Sequence, residues 1–260
     1  MPLSEISGRR PDRAPHLMIR MTVIAMRRRP FLLPLAALLV LLLFLSCAMP
    51  QKTLGGETSF YQAFSAASFR NYEPANRPLN FKEINYPLLD AAIFFEVNRV
   101  RTSHGRTSCR HSKILERVAS AYSREMAGRN FFSHINIYDS TQRTPSQRMA
   151  ALGVAQGFRA ENIAVAFGIR YKDGSPVVPP EGEEKEFRDF RTGEILPHHT
   201  YNSFAAAVVE EWMRSEPHRA NILDERVRFL GSGAFYFEDR RFHNIPAFKV
   251  TLDLASSVPE

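Results

Sequence analysis

The sequence predicts an α+β fold, an α-β-α sandwich in which helices flank an antiparallel sheet. Three segments carry apolar residues at a spacing of three or four, which is typical of amphipathic helices. The last segment, from Ala247 to Ala255, alternates between an apolar face and a face that carries Lys249, Thr251 and Asp253. Because helices come first along the chain and strands come last, we expect one sheet that is covered by helices.

The front of the chain resembles a bacterial lipoprotein signal. Arg27 to Arg29 precede an apolar run from Phe31 to Leu45, which Ser46 and Cys47 follow. The run of about 15 residues is shorter than the roughly 20 that a membrane-spanning helix needs. We therefore expect residues 1–46 to be a signal region, with translation starting at Met21 or Met26. Removal of this region leaves Cys47 as the lipidated first residue.

An uncleaved signal anchor is the alternative to lipidation at Cys47. Both alternatives place the domain outside the cytoplasm, in the cell envelope, and tether it to a membrane. Residues 48–84 show no sustained periodicity and contain Gly55, Gly56, Pro74 and Pro78, so we interpret them as the tether, either free of the domain or partly packed on it. The folded domain is then expected over residues 85–256.

Most of the positive charge lies in the signal region. The chain has a formal charge of +7, and residues 1–46 contribute +5 because seven arginines there face only Glu5 and Asp12. The remaining +2 gives no reason to expect a nucleic-acid partner. If Cys47 is lipidated, Cys109 has no partner for a disulfide, so the domain relies on its hydrophobic core.

The first two predicted helices run from Leu88 to Arg101 and from Ser112 to Gly128, where the glycine is a C-cap candidate. A third, short helix has Thr144 as its N-cap, Pro145 in its first turn and Gly153 at its end. These assignments follow from apolar spacing and from the residues that start and stop helices.

Two polar residues stand out beside these elements. His134 follows two phenylalanines that we expect to anchor the chain in the core and to leave the histidine ring facing outward. The alternative is a histidine that bonds the last carbonyls of the helix. Glu161 precedes an apolar run from Ile163 to Phe167, which predicts a half-buried carboxylate that needs a cation or hydrogen-bond donors. A glutamate that accepts backbone hydrogen bonds at a strand start is the alternative.

Residues 169–201 are charged and rich in proline, and we predict a surface insertion with a strand pair around Arg191 and Gly193. The insertion ends in His198 and His199, which we assign to a loop rather than to a metal site. Because of its length, the insertion has the reach to lie across a neighbouring cleft.

The next helix contains the only tryptophan, with Phe204, Val208 and Trp212 at spacing four. Pro217 is expected to end or bend this helix and to leave His218 where the chain changes direction. The alternative role for His218 is a structural hydrogen bond within the turn. An apolar strand from Phe229 to Glu238 follows.

Five stretches resemble bacterial SCP-like domains of the CAP superfamily, which are related to cysteine-rich secretory proteins, antigen 5 and plant pathogenesis-related 1. In chain order they are Asn98-x-x-Arg101, Phe132-Ser133-His134-x-Asn136, Pro145-x-x-Arg148, Ala160-Glu161-Asn162-Ile163-Ala164 and Trp212-x-x-Ser215-x-x-His218-Arg219-x-Asn221-Ile222-Leu223. The resemblance covers about residues 86–255 and implies the α-β-α sandwich. Two departures are Ala160, where the family has glycine, and a much longer connection at residues 169–201.

The resemblance also implies a cleft built from two histidines and two glutamates. His134 and His218 take the histidine places, and Glu161 takes the first glutamate place. Ser215 stands where the second glutamate is expected, so Glu216 or Glu211 is the candidate to point into the cleft instead.

Two imidazoles and a carboxylate suit a divalent metal such as Zn²⁺, with His134, His218 and Glu161 as ligands. No catalytic residue is assigned, because Ser215 and His218 lack an oxyanion hole and an orienting acid. We expect a binding protein whose ligand is a lipid, a peptide or a cell-wall component. A metal-dependent hydrolase and a lipid or sterol carrier are the alternatives.

Overall fold

The computed structural model describes residues 59–172, 174–181 and 186–259. The predicted signal region, Cys47 and the first part of the tether lie outside these residues. Within the described ranges, no helix combines the length and the apolar character needed to cross a membrane.

A four-stranded sheet forms the middle layer of the domain. Its strands are β1 (Arg110–His111), β2 (Arg159–Phe167), β5 (Phe229–Asp239) and β6 (Ile245–Ala255), in the order β1-β5-β6-β2. β6 pairs antiparallel with both β5 and β2, and β1 runs parallel to β5. Two further short strands, β3 (Val177–Val178) and β4 (Arg188–Asp189), form a separate antiparallel pair.

Seven α-helices are described, and the longer ones cover both faces of the sheet. They are α1 (Phe60–Ala63), α2 (Ala66–Phe69), α3 (Tyr86–Ser103), α4 (Lys113–Gly128), α5 (Pro145–Ala151), α6 (Tyr201–Arg214) and α7 (Glu216–Leu223). α3 and α6 pack together and contact the sheet, and α4 packs against β5 and β6. The predicted α-β-α sandwich is therefore confirmed.

Both faces of β6 are buried, because helices cover the sheet on both sides. Phe248, Val250, Leu252 and Leu254 join the core beneath α3 and α6. The polar residues point the other way, and the Thr251 hydroxyl shares a 2.8 Å hydrogen bond with Ser123 of α4. The alternation in the sequence thus marks two buried environments of different polarity.

The structure corrects the prediction for the tryptophan helix. α6 ends at Arg214, and Ser215 has extended backbone angles that separate it from α7. Pro217 lies in the first turn of α7, where its missing N–H costs no helical hydrogen bond. His218 is therefore a residue of the first turn of a new helix, and not a corner that the proline creates.

Part of the predicted tether is folded onto the domain. Phe69, Ala75 and Leu79 are buried in the main core, and the Leu79 N–H donates to the carbonyl of His199 at 2.8 Å. The packed unit therefore begins upstream of the predicted boundary at residue 85.

The insertion emerges at the end of β2 that is distant from Glu161. Six residue steps separate Glu161 from Phe167, which corresponds to roughly 20 Å along the strand. Within the insertion, Gly193 adopts a φ of +70° in a turn, and an antiparallel bridge joins Arg188 to Ile195 on either side of it. The two histidines at the end of the insertion each form a hydrogen bond. Nδ1 of His198 lies 2.8 Å from the Leu79 carbonyl oxygen, and Nδ1 of His199 lies 3.0 Å from the Ser203 hydroxyl.

Gly233 is one of two glycines of β5, with Gly231, at which α4 lies close against the sheet. A Cβ added there would lie 2.3 Å from the backbone of Ser120. We therefore expect Gly233→Ala to lower the free energy of unfolding by about 1–3 kcal/mol through overpacking. Gly128→Ala is the control, since a Cβ at that end of α4 meets nothing within 4 Å. Urea denaturation of both variants checks this, and equal midpoints would contradict the close packing.

Candidate functional site

The loop after α4 positions His134. The N–H of Asn136 donates to the Arg143 carbonyl at 2.8 Å, which closes the loop. The Tyr122 hydroxyl of α4 donates to the Ser133 carbonyl at 2.6 Å, which holds the residue before His134. The backbone on both sides of the histidine is therefore fixed.

His134 meets Glu161, the third residue of β2. Nδ1 of His134 lies 2.8 Å from Oε1 of Glu161. The carboxylate is only 1% exposed, whereas the imidazole is 44% exposed. Because a carboxylate only accepts hydrogen bonds, Nδ1 carries the hydrogen, and the lone pair of Nε2 in the neutral ring is left for the cleft.

Arg148 of α5 supplies the cation that the buried glutamate requires. Its Nη2 lies 2.6 Å from Oε2 of Glu161. The same guanidinium donates to the carbonyls of His134 and Arg143, at 3.2 and 3.1 Å, and lies 3.4 Å from the centre of the Tyr122 ring. The position of Glu161 before an apolar run predicts such a cation without identifying it, and in the sequence Arg148 stands out only as part of the Pro-x-x-Arg stretch.

Glu161 is more buried than the sequence indicates. We predicted a half-buried carboxylate at the threshold of a strand. Instead, β2 begins two residues earlier, at Arg159, and the helix that carries Arg148 closes over the side chain. The correction follows from a tertiary contact that apolar patterning cannot reveal.

A second carboxyl group lies behind the first. Asp253 of β6 is directly opposite Glu161 across the strand pair, so both side chains point to the same face. Asp253 is fully buried, and neither of its oxygens has a hydrogen-bond partner among the described residues. Burial, followed by the charge of Glu161, raises the pKa of Asp253 well above its usual value, although Arg148 opposes this. The alternating pattern of the sequence indicates only that Asp253 lies on the polar face of the strand.

His218 faces His134 from α7. The two ring centres are 6.5 Å apart. Burial, followed by the proximity of His134, lowers the pKa of His218, which favours a neutral ring. Asn162 of β2 positions the helix, because its Nδ2 donates to the His218 carbonyl at 3.0 Å and its Oδ1 accepts from Asn221 at 2.9 Å.

Comparison with known proteins fits this architecture. Residues 94–251 match the cysteine-rich secretory protein family, CAP. The chain belongs to the CAP family. No curated protein sequence matches it.

Three solved structures are similar in fold to this CAP chain. An extracellular protein with an SCP domain from Bacillus anthracis str. Ames is 21% identical, with a TM-score of 0.44, over 69% of this chain and 44% of that one. An outer surface protein from Borrelia burgdorferi is 16% identical, with a TM-score of 0.41, over 69% and 98%. A cysteine-rich secretory protein from Staphylococcus aureus is 12% identical, with a TM-score of 0.39, over 66% and 40%. The chain therefore spans less than half of the Bacillus and Staphylococcus proteins.

Other CAP-like residues lie outside the His134–Glu161 contact. Ser215 is half-buried between α6 and α7 and its hydroxyl does not cap α7, while Glu216 and Glu211 are exposed. Asn98 and Arg101 act elsewhere. Asn98 exchanges hydrogen bonds with the backbone of Cys109, and Arg101 donates to the carbonyls of Ile222 and Val227. The Asn-x-x-Arg stretch of this CAP chain therefore joins α3 to neighbouring loops.

The CAP cleft offers two suitable metal ligands rather than three. His134 and His218 offer imidazole nitrogens of the kind that Zn²⁺ prefers. Glu161 is a poor third ligand, because His134 and Arg148 occupy its two oxygens. Across the described ranges, no group of three histidine, cysteine, aspartate or glutamate side chains is arranged for a metal ion.

Proposed function

We propose that this CAP protein binds its ligand through the paired imidazoles of His134 and His218. The observation that carries this proposal is the chain of contacts from Arg148 to Glu161 to His134. A buried ion pair that orients a half-exposed imidazole presents Nε2 in a fixed direction, which suits recognition of a hydrogen-bond donor or a cation.

The surface beside His134 suggests the character of the ligand. Phe132, Ile135, Ile137 and Tyr138 are all exposed in the same loop, and Ile137 is 71% exposed. Apolar side chains exposed together are typical of binding surfaces. We therefore expect a ligand that carries an apolar portion next to its polar group, such as a peptide or a lipid headgroup region.

We further propose that a divalent cation, with Zn²⁺ as the best candidate, is held by His134 and His218. Such a cation acts as a Lewis acid toward an oxygen of the ligand. Within the protein, Glu161 fixes the tautomer of His134, in the way that carboxylates often orient metal-binding histidines. The lowered pKa of His218 also favours metal binding. A neutral imidazole has a free lone pair, so protons compete less with the cation for this ring.

A metal-dependent hydrolase is the second candidate function. The observation in its favour is the pairing of His134 with a buried carboxylate, since general bases are commonly oriented in this way. Catalytic zinc sites usually have three protein ligands, so we rank a binding role above catalysis.

The location is also a proposal. The basic stretch, the apolar run and Cys47 favour a bacterial lipoprotein that is anchored on the outer side of a membrane. A lipid at Cys47 keeps the cleft close to the membrane surface, where envelope ligands are concentrated.

Isothermal titration with Zn²⁺ tests the proposal on the whole protein, purified in a non-ionic detergent. We expect one Zn²⁺ per chain, and at least about tenfold weaker binding, or roughly 1.4 kcal/mol, in the double variant His134→Ala/His218→Ala. Binding should weaken as the pH falls and protons compete for the imidazoles.

The matched control is His104→Ala/His243→Asn, which removes two exposed imidazoles outside the cleft. It should bind Zn²⁺ like the wild type. Equal affinity in all three proteins would exclude the imidazole pair as the cation site.

A further inference from the structure

A second cleft, of about 660 Å³, lies on the side of the sheet that α3 and α6 cover. Its walls come from residues 66–76, from the middle of α3, from the start of α6 and from Arg170 of the insertion. About 20 Å along α6 separates Thr200, which lines this cleft, from Ser215 near the histidine pair. The two sites are therefore distinct.

The cleft is built largely from parts of the chain that lie outside the family pattern. Residues 66–76 precede the segment that matches the family, which begins at residue 94. Arg170 belongs to the long insertion. Because the cleft forms where the chain departs from its family, we expect its binding function to be particular to this chain and not common to the family fold.

The charge of the lining is positive. It contains Arg70, Arg99 and Arg170 but one acid, Glu96. Arg99 and Glu96 are paired through two hydrogen bonds of 2.8 and 2.6 Å. In the described part of the chain, Arg70 and Arg170 have no ion-pair partner, so two uncompensated guanidinium groups border the cleft.

The backbone beside Arg70 is fixed. Nδ2 of Asn202 donates to the Arg70 carbonyl at 3.2 Å and to the side chain of Asn76 at 3.1 Å. Nδ2 of Asn76 donates to the same carbonyl at 3.0 Å and to the Tyr72 carbonyl at 3.1 Å. The cleft is therefore largely preformed, which lowers the entropy cost of binding.

The lining disfavours an apolar ligand. Phe69 and Phe95 stack on each other with ring centres 4.4 Å apart, and both are buried rather than presented to the cleft. What remains accessible includes guanidinium, amide and hydroxyl groups, from Arg70, Asn71, Arg170 and Thr200, whereas the Ser203 hydroxyl is engaged in the cap of α6. Guanidinium groups bind phosphate and carboxylate, while amides and hydroxyls bind the hydroxyl groups of a sugar.

We propose that this cleft binds an acidic sugar, a saccharide that carries a phosphate or a carboxylate group. The volume lies within the range of small-molecule sites. The acidic group is recognised by Arg70 and Arg170, and the hydroxyl groups are recognised by the polar side chains around them.

The test is calorimetric titration of the whole protein, in non-ionic detergent, with glucose 6-phosphate, glucuronate, glucose and inorganic phosphate. We expect the two acidic sugars to bind at millimolar concentration or below, and glucose and phosphate alone to bind at least about tenfold more weakly. Arg70→Ala/Arg170→Ala should weaken binding of the acidic sugars by about tenfold or more.

Two controls make the result specific. Arg117→Ala/Arg240→Ala removes the same charge from exposed arginines outside this cleft and should leave the affinity for the acidic sugars unchanged. His134→Ala/His218→Ala should also leave that affinity unchanged, because the histidine pair does not line this cleft. The proposal is overturned if neither acidic sugar binds at about 10 mM. It is also overturned if the two arginine variants behave alike, or if phosphate alone binds as well as the sugars.

Discussion

Arg148→Met is expected to lower the free energy of unfolding by about 3–5 kcal/mol, because it leaves the carboxylate of Glu161 buried without its cation. The loss exceeds that of an ordinary ion pair, since the same guanidinium also donates to three backbone carbonyls and lies against Tyr122. Urea denaturation at neutral pH measures the change.

Arg214→Met is the matched control for this variant. Arg214 pairs with Glu210 on the surface of α6, where both side chains are more than 60% exposed. Removing an exposed pair of this kind costs at most about 1 kcal/mol. Adding Glu161→Gln to Arg148→Met should restore part of the lost stability, because it removes the buried charge. If the Arg148 and Arg214 variants lost equal stability, the buried ion pair would not be the anchor of the site.

Asp253→Asn is expected to make the protein more stable at neutral and alkaline pH. Because burial and the charge of Glu161 raise the pKa of Asp253, the folded state keeps a proton that the unfolded chain releases. The stability from this group is fully present below the ordinary aspartate pKa of about 3.9 and is lost as the pH rises toward the folded value. Asparagine has a similar shape and does not ionise, so the variant escapes that loss.

Unfolding curves of wild type and Asp253→Asn across a range of pH measure this effect. Between the two pKa values, the stability difference should grow by up to about 1.4 kcal/mol per pH unit. Asp224→Asn is the control of opposite sign, since a hydrogen bond from Arg226 holds the pKa of Asp224 below its usual value. Parallel curves for wild type and Asp253→Asn would show that Asp253 titrates normally.

Regular elements of the domain could be predicted from local sequence. α4 begins and ends within one residue of its prediction, because Ser112 caps it and apolar residues recur at spacing four. α5 follows Thr144, whose side chain forms the predicted cap. β6 follows the alternating pattern from Ala247 to Ala255. In each case the signal lies within a few neighbouring residues.

Long-range contacts account for what the sequence did not reveal. The burial of Glu161 depends on α5, and the environment of Asp253 depends on its neighbour in β2, so neither follows from local spacing. The break at Ser215 does not follow from the sequence, because Pro217 is compatible both with the end of one helix and with the first turn of the next.

The central claim is that Glu161 holds His134 as the Nδ1–H tautomer and leaves Nε2 to a ligand shared with His218. Nitrogen-15 NMR of the imidazole rings, with and without Zn²⁺, tests this claim most directly. We predict that His134 is protonated on Nδ1 at neutral pH, and that Zn²⁺ shifts the Nε2 resonances of both histidines. A hydrogen on Nε2 of neutral His134, together with no response of either ring to Zn²⁺, would contradict the account.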